Sequence, residues 1–190
     1  EGTSCYRLEG SSDAVIKELL GRRYNHLSDN DVDRVTQFSD GNARVAFALA
    51  SASERSNELA QLTDDDLFTR LFHQKHIEND ELLIAAEAAS LVYSFDGEST
   101  DDSSELARIA SVARLSVASM YRHVAELQRR GLVQQRGTGR AMLPHAIANR
   151  LAARALANYP AGQLIEVMLD KASDRVAKSF SRRLGYLHGS

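Results

Sequence analysis

Cysteine, proline and tryptophan are scarce in this 190-residue sequence, which contains one cysteine, two prolines and no tryptophan. The single cysteine, Cys5, excludes an internal disulfide framework and suits a reducing compartment. No apolar run approaches the length of about 18 residues that crosses a bilayer, so we expect a cytoplasmic chain without a membrane partner. A net charge of −3, with 26% charged and 43% hydrophobic residues, is typical of a globular protein.

Lysine is also scarce, and its absence from key positions excludes two kinds of nucleotide-binding loop. None of the four lysines follows a glycine, so the chain has no Gly-x4-Gly-Lys-Ser/Thr phosphate loop. Gly137 and Gly139 are followed by Met142 where a dinucleotide loop needs a third glycine. No Ser/His/Asp or Cys/His pattern predicts a catalytic residue. His73 and His76 are spaced for a metal pair, but solvated histidines on a helix face are favoured, so no metal site is predicted.

Charge is unevenly distributed along the chain. Residues 1–103 carry 9 Lys/Arg against 21 Asp/Glu, whereas residues 104–160 carry 9 Arg against 2 Glu. An acidic block beside a basic block suggests two modules, and the basic one could bind an anion or dock on its acidic neighbour. The sequence begins with Glu1 and shows no signal peptide, so we expect it to be a piece of a longer chain.

Most segments are predicted to be helical, which makes the fold mainly α. Apolar residues at helical spacing follow polar N-terminal caps in four places before residue 75. These caps are Ser11-Ser12-Asp13, Ser28, Gly41-Asn42 and Thr63. A further helix is predicted from about Asp80 to Tyr93, followed by a polar loop from Asp96 to Ser104. We predict a helical-bundle domain over residues 1–75.

Residues 104–143 have a different pattern, typical of a winged helix-turn-helix. Glu105 to Val112 predicts a short helix, and Ser116 caps a longer one that ends at Gly131. Two short strands then flank Gly137-Thr138-Gly139 and predict a small β-hairpin wing. Pro144 suits the first turn of the next helix. This winged-helix domain is predicted over residues 76–160, and residues 161–190 are predicted to form a helical stalk or linker.

Arg44 lies in the first turn of its predicted helix, where the helix dipole disfavours a cation by about 0.3–1 kcal/mol. Such a residue is usually a tolerated surface cation. The alternative is that its guanidinium, together with free backbone N–H groups, faces a bound phosphate. His145, at the start of the helix after the wing, is by itself most simply a half-exposed histidine near a cap.

The basic winged helix is a second candidate site. Side chains early on its second helix are placed to contact bases in such domains, and arginines around the wing are placed to contact phosphates. The first group is Ser116, Ala118, Ser119 and Arg122, and the second is Arg129, Arg130, Arg136 and Arg140.

These segments together resemble the C-terminal part of the nucleotide-binding module of STAND-type signalling NTPases, which are related to AAA+ proteins. Cys5 to Gly10 resembles the exit from the ATPase core, and Asp40-Gly41-Asn42-Ala43-Arg44 resembles the signature of the helical lid domain. Leu143-Pro144-His145 is similar in placement to the MHD motif, with Ala146 where that motif has aspartate.

The resemblance implies an ATP-dependent switch in which Gly41, Asn42, Arg44 and His145 contact the phosphates of ATP or ADP. Magnesium and the phosphate loop would come from the missing upstream ATPase core, and a downstream sensor domain and homo-oligomerisation on activation are also implied. Some bacterial proteins of this kind act in antiphage defence. The segment alone is not a catalyst.

Two other functions fit the residues. One is a DNA-binding transcriptional regulator that uses Ser116, Ser119, Arg122, Arg136 and Arg140, and the other is a protein–protein adaptor that binds no ligand.

Overall fold

A computed structural model describes residues 11–39, 41–53, 56–72 and 80–188. The mainly helical fold is confirmed, since about 66% of the structure is helix and the strands form a small antiparallel sheet. The chain divides into two compact units, Glu1–Ile77 and Glu78–Ser190. The second unit contains residues 161–190, whose role as a helical stalk or linker stays a prediction.

The first unit contains four helices in its described part, and each begins near a predicted cap. Their apolar faces share one core, which includes Leu20, Val35, Leu49 and Phe72, all fully buried. At the start of the fourth helix, the Thr63 hydroxyl accepts the Asp66 N–H and the Asp66 carboxylate accepts the Thr63 N–H. The helices are α1 (Asp13–Arg23), α2 (Asp29–Ser39), α3 (Ala43–Ala52) and α4 (Asp64–Phe72).

Asp31, in the first turn of α2, fastens the segment between α3 and α4. Its fully buried carboxylate accepts backbone N–H groups from Asn57 at 2.5 Å, Leu59 at 2.9 Å and Ala60 at 2.8 Å. It also accepts the N–H and the hydroxyl of Ser28. One carboxylate thus satisfies five donors and sets the path of the chain after α3.

The second unit combines helices with three short strands. Its core is formed mainly by α5, α6, α7 and α8, through residues such as Leu82, Leu106, Leu127 and Leu151. The elements, in chain order, are α5 (Asp80–Ser90), β1 (Phe95–Asp96), α6 (Glu105–Val112), α7 (Val117–Arg129), β2 (Val133–Arg136), β3 (Gly139–Met142), α8 (His145–Asn158), α9 (Ala161–Ile165), a π-helical segment (Glu166–Asp170) and α10 (Asp174–Leu187).

The three strands form an antiparallel sheet in the order β1-β3-β2. The predicted hairpin is confirmed, since Val133 pairs with Met142 and Arg136 pairs with Gly139. The prediction of a loop from Asp96 is wrong at its first residue, because β1 pairs with the outer edge of β3. A two-residue strand is too short to show the alternation of apolar and polar residues that predicts a strand. It is recognised only by its pairing with β3.

Helix α10 is tied to the chain that follows α5. The Ser179 carbonyl accepts the Tyr93 N–H at 3.1 Å, and the Ser179 hydroxyl donates to the Ser94 carbonyl at 2.6 Å. Helix α8 begins at His145 with Pro144 at its N-cap, one residue later than expected. Among the residues described, no helix has both the length and the apolar character needed to cross a bilayer.

Candidate functional site

The candidate phosphate-sensing segment of the first unit is the N-terminus of α3. Gly41 has φ +77°, a left-handed conformation that favours glycine, and Asn42 is the N-cap. The Asn42 Oδ1 accepts the N–H groups of Arg44 at 3.0 Å and Val45 at 3.1 Å. The predicted turn, cap and first-turn position of Arg44 are therefore confirmed.

The same cap corrects one expectation about this site. Because Asn42 occupies the N–H groups of Arg44 and Val45, those two donors are not free to bind an anion. The Arg44 side chain is exposed, and no side chain or carbonyl in the described part of the chain pairs with its guanidinium. A phosphate bound here would depend mainly on that guanidinium.

His145, in the second unit, contacts two tyrosines that are distant in sequence. Its ring centroid lies 5.4 Å from that of Tyr93 and 6.2 Å from that of Tyr186, with interplanar angles of 19° and 18°. The two tyrosine rings are 5.9 Å apart. These three near-parallel rings, which we call the aromatic cluster, join the turn after α5, the start of α8 and the end of α10.

Two arginines of α10 add positive charge to the aromatic cluster. The Arg182 guanidinium lies 3.7 Å from the centroid of the Tyr93 ring, a cation–π contact. The Arg183 guanidinium lies 5.6 Å from the same ring. Sequence reasoning missed both arginines, because the fold alone brings residues 93, 145 and 182–183 together.

The electrostatic surroundings of His145 oppose its protonation. Burial by its neighbours lowers the pKa of His145 below the ordinary value of 6.5, and the charges of Arg183 and Arg182 lower it further. Both effects favour the neutral imidazole, whereas a bound anion would favour its protonation. This combination of cations and a titratable ring suits a phosphate group.

The candidate DNA-contacting residues fall into two groups, those engaged in contacts within the protein and those exposed to solvent. The Ser116 hydroxyl caps α7 by accepting the Ser119 N–H at 3.1 Å, and the Ser119 hydroxyl contacts His123 Nε2 at 3.3 Å. Both serines thus serve the helix itself. Arg122 on α7 and Arg136 on β2 are exposed.

Arg140 is a correction to the DNA-binding interpretation. Its residue surface is only 7% exposed, and its Nη1 donates to the carbonyls of Gly137, Thr138 and Gly139 at 3.0–3.3 Å. Its Nη2 lies 3.6 Å from a carboxylate oxygen of Glu98. The guanidinium stabilises the hairpin turn, and a DNA phosphate would have to compete with these contacts.

Glu126 forms ion pairs with two more of the arginines predicted to contact phosphates. Its carboxylate lies 2.6 Å from Arg129 Nη2 and 2.7 Å from Arg130 Nε. Among the five candidate arginines, Arg122 and Arg136 are those without a hydrogen-bond or ion-pair partner in the residues that the structure describes.

One Ser–His–Glu group not predicted from the sequence has the wrong geometry for catalysis. Ser119 Oγ lies 3.3 Å and Glu81 Oε2 3.2 Å from the same nitrogen, Nε2 of His123. A nucleophile–base–acid relay needs the serine and the carboxylate on opposite ring nitrogens. The group therefore joins α7 to α5 and does not form a catalytic triad.

Several predicted residues lie outside the described part of the chain. They are the segment from Cys5 to Gly10, Asp40 of the lid signature, and the histidine pair His73 and His76. Within the part that is described, no three His, Cys, Asp or Glu side chains gather to hold a metal ion.

No family model, curated protein or solved structure matches the chain.

Proposed function

We propose that this chain is the phosphate-sensing regulatory segment of an ATP-dependent switch of the STAND type. The observation that carries the proposal is His145, which lies at the start of α8 beside Arg182 and Arg183. Cationic donors at the start of a helix are suited to the terminal phosphates of a nucleotide. Adenine is favoured through the family resemblance.

The architecture of each unit supports this proposal separately. In the described part of the first unit, four helices carry an exposed Arg44 that pairs with none of the described residues, as a helical lid with a sensor arginine requires. In the second unit, the order helix–strand–helix–helix–strand–strand and the sheet order β1-β3-β2 support the proposed winged-helix domain. The two units would then be the lid and winged-helix domains.

In this proposal, nucleotide state changes the arrangement of domains. Arg44 and His145 would each contact nucleotide phosphates, and an upstream ATPase core would hold the nucleotide and supply Mg²⁺. A downstream sensor domain would bias the equilibrium between the inactive and active arrangements, and activation would expose a surface for homo-oligomerisation. The nucleotide can shift this equilibrium only if its affinity differs between the inactive and the active arrangement.

Variants of the full-length protein test the proposal. Arg44→Ala should lower ATP turnover about tenfold or more, because a hydrogen bond from a charged donor contributes about 1.5–3 kcal/mol. His145→Ala should increase the fraction of active oligomer without added signal, measured by analytical ultracentrifugation. Arg22→Ala, which removes an exposed cation of α1, is the matched control. Unchanged turnover and unchanged assembly in both site variants would contradict the proposal.

DNA binding is the second candidate function, favoured by Arg122 and Arg136, which are exposed and have no partner within the described ranges. If it is correct, duplex DNA should bind at physiological salt, and Arg122→Ala with Arg136→Ala should reduce the slope of log affinity against log salt by about 2. Arg129→Ala should change the slope little, since Glu126 already neutralises that arginine. Binding without salt dependence, or an unchanged slope in the double variant, would rule it out.

A further inference from the structure

Arg183 is a buried cation, and the described part of the chain places no carboxylate against it. It is fully buried, and its Nε donates to the Ser90 carbonyl at 3.0 Å while its Nη1 donates to Asn149 Oδ1 at 2.7 Å. Both acceptors are neutral, and Nη2 is buried without a hydrogen-bond partner. The hydroxyl of Ser90, the residue whose carbonyl accepts Arg183 Nε, is also buried without a hydrogen-bond partner among the described residues. Buried polar groups are normally satisfied, so both atoms require an explanation.

Arg182 increases this unbalanced charge. No carboxylate in the described ranges lies within hydrogen-bond or ion-pair distance of either guanidinium. Burial lowers the pKa of Arg183, and the neighbouring charge of Arg182 lowers it further. The effective cost of burying an unpaired ion is several kcal/mol, and the cation–π contacts with Tyr93 offset only part of it.

The start of α8 adds partial positive charge at the same place. This 14-residue helix begins at His145, no side chain caps it, and its first turn contains no acidic residue. Its N-terminal N–H groups and dipole favour an anion. His145 is exposed and Tyr186 is 45% exposed, so solvent reaches the aromatic cluster beside the start of α8.

We propose that Arg182, His145 and the N-terminus of α8 form a binding site for a phosphate group, with Arg183 as a buried positive charge behind it and Tyr93 and Tyr186 as its aromatic wall. This deepens the proposed function, on which it rests, because it assigns two arginines of α10 to the phosphate that His145 contacts. The anion supplies the missing counter-charge and joins α10 to α8. The phosphate group belongs either to a nucleotide or to inorganic phosphate.

Proton NMR of the 190-residue chain tests this site directly. The C2 proton of His145, assigned by its loss in His145→Gln, is followed at pH 7 during titration with inorganic phosphate and, separately, with ADP. We expect a saturable shift and, with sulfate as a non-titrating analogue, a rise in the pKa of His145. Arg182→Gln should weaken binding about tenfold or more, whereas Arg22→Gln should bind like the unaltered chain.

The two titrations identify the source of the phosphate group. Tighter binding of ADP than of phosphate indicates a nucleotide, and equal affinities indicate that the phosphate group alone is bound.

The site would be overturned if a folded chain showed no saturable shift of the His145 C2 proton, or if the shift were the same in Arg182→Gln. If Arg182→Gln binds phosphate as tightly as the unaltered chain while His145→Ala still alters assembly, this inference fails and the proposed function stands. If phosphate binds but the Arg44 and His145 variants leave turnover and assembly unchanged, only the proposed function fails.

Discussion

Replacing Asp31 with alanine should destabilise the first unit by ~3–5 kcal/mol, or unfold it. The carboxylate accepts five hydrogen bonds, and its loss leaves the N–H groups of Asn57, Leu59 and Ala60 without their acceptor. Each buried donor left unsatisfied costs about 1–3 kcal/mol, although the separate costs are not additive. Hydrogen–deuterium exchange should show the loss in peptides of the first unit and not in those of the second.

Asp33→Ala is the matched control, two residues further along α2. The Asp33 side chain is 63% exposed and pairs with an exposed Lys17, so its removal should cost about 0–1 kcal/mol. Equal stabilities of Asp31→Ala and Asp33→Ala would contradict the role assigned to Asp31.

The loss of stability at acid pH should depend in part on the Asp31 carboxylate. Burial alone would raise the pKa of Asp31, but the hydrogen bonds from Ala60, Ser28 and Asn57 outweigh it and hold the pKa below its ordinary value of 3.8. Its contribution to stability is therefore present above the unfolded-state pKa and is lost as the pH falls through the lower folded-state pKa. Below about pH 4, the unfolding free energy of Asp31→Ala should fall less steeply than that of the unaltered chain.

Glu87→Ala should destabilise the second unit by ~2–4 kcal/mol. The Glu87 side chain is 4% exposed and joins α5 to α8, accepting Arg154 Nε at 2.9 Å and Asn158 Nδ2 at 3.4 Å. Breaking a buried ion pair costs about 3–5 kcal/mol, and this figure is reduced here because the Arg154 side chain is 39% exposed and can be rehydrated. Urea unfolding followed by exchange in peptides of α5 and α8 measures the loss.

A double variant separates the ion pair from the packing around it. Glu87→Leu with Arg154→Leu should recover most of the loss, since apolar side chains of similar volume often replace a buried ion pair at little cost. Glu81→Ala, on an exposed part of the same helix, should change stability by less than about 1 kcal/mol. A double variant as unstable as Glu87→Ala would show that the carboxylate itself, and not its pairing with Arg154, is required.

Features set by neighbouring residues could be predicted from the sequence. The caps at Asn42 and Ser116, and the hairpin around Gly137, depend on residues only a few positions apart, and all three formed as predicted. The short strand β1 could not be predicted, because two residues are too few to show an alternating apolar pattern and the strand is recognised only by its pairing with β3.

The features that decide the site depend on residues far apart in the sequence. The sequence places Asp31 three residues after the Ser28 cap, whereas the backbone N–H groups of Asn57, Leu59 and Ala60 that it accepts lie 26–29 positions later. Arg183 reaches Ser90 across 93 positions, and the pattern of α10 predicts a helix without indicating that an arginine is buried. Local sequence likewise predicted Arg140 as a phosphate contact, although the hairpin carbonyls occupy it.

The most direct test of phosphate sensing is the nucleotide content of the full-length protein after purification, measured by mass spectrometry. We predict that ADP or ATP remains bound at close to one molecule per chain and is lost from the Arg44→Ala, His145→Ala double variant, while Arg22→Ala retains it. A folded protein that contains no nucleotide and takes up none when ATP is added, or a double variant that retains its nucleotide fully, would contradict the account.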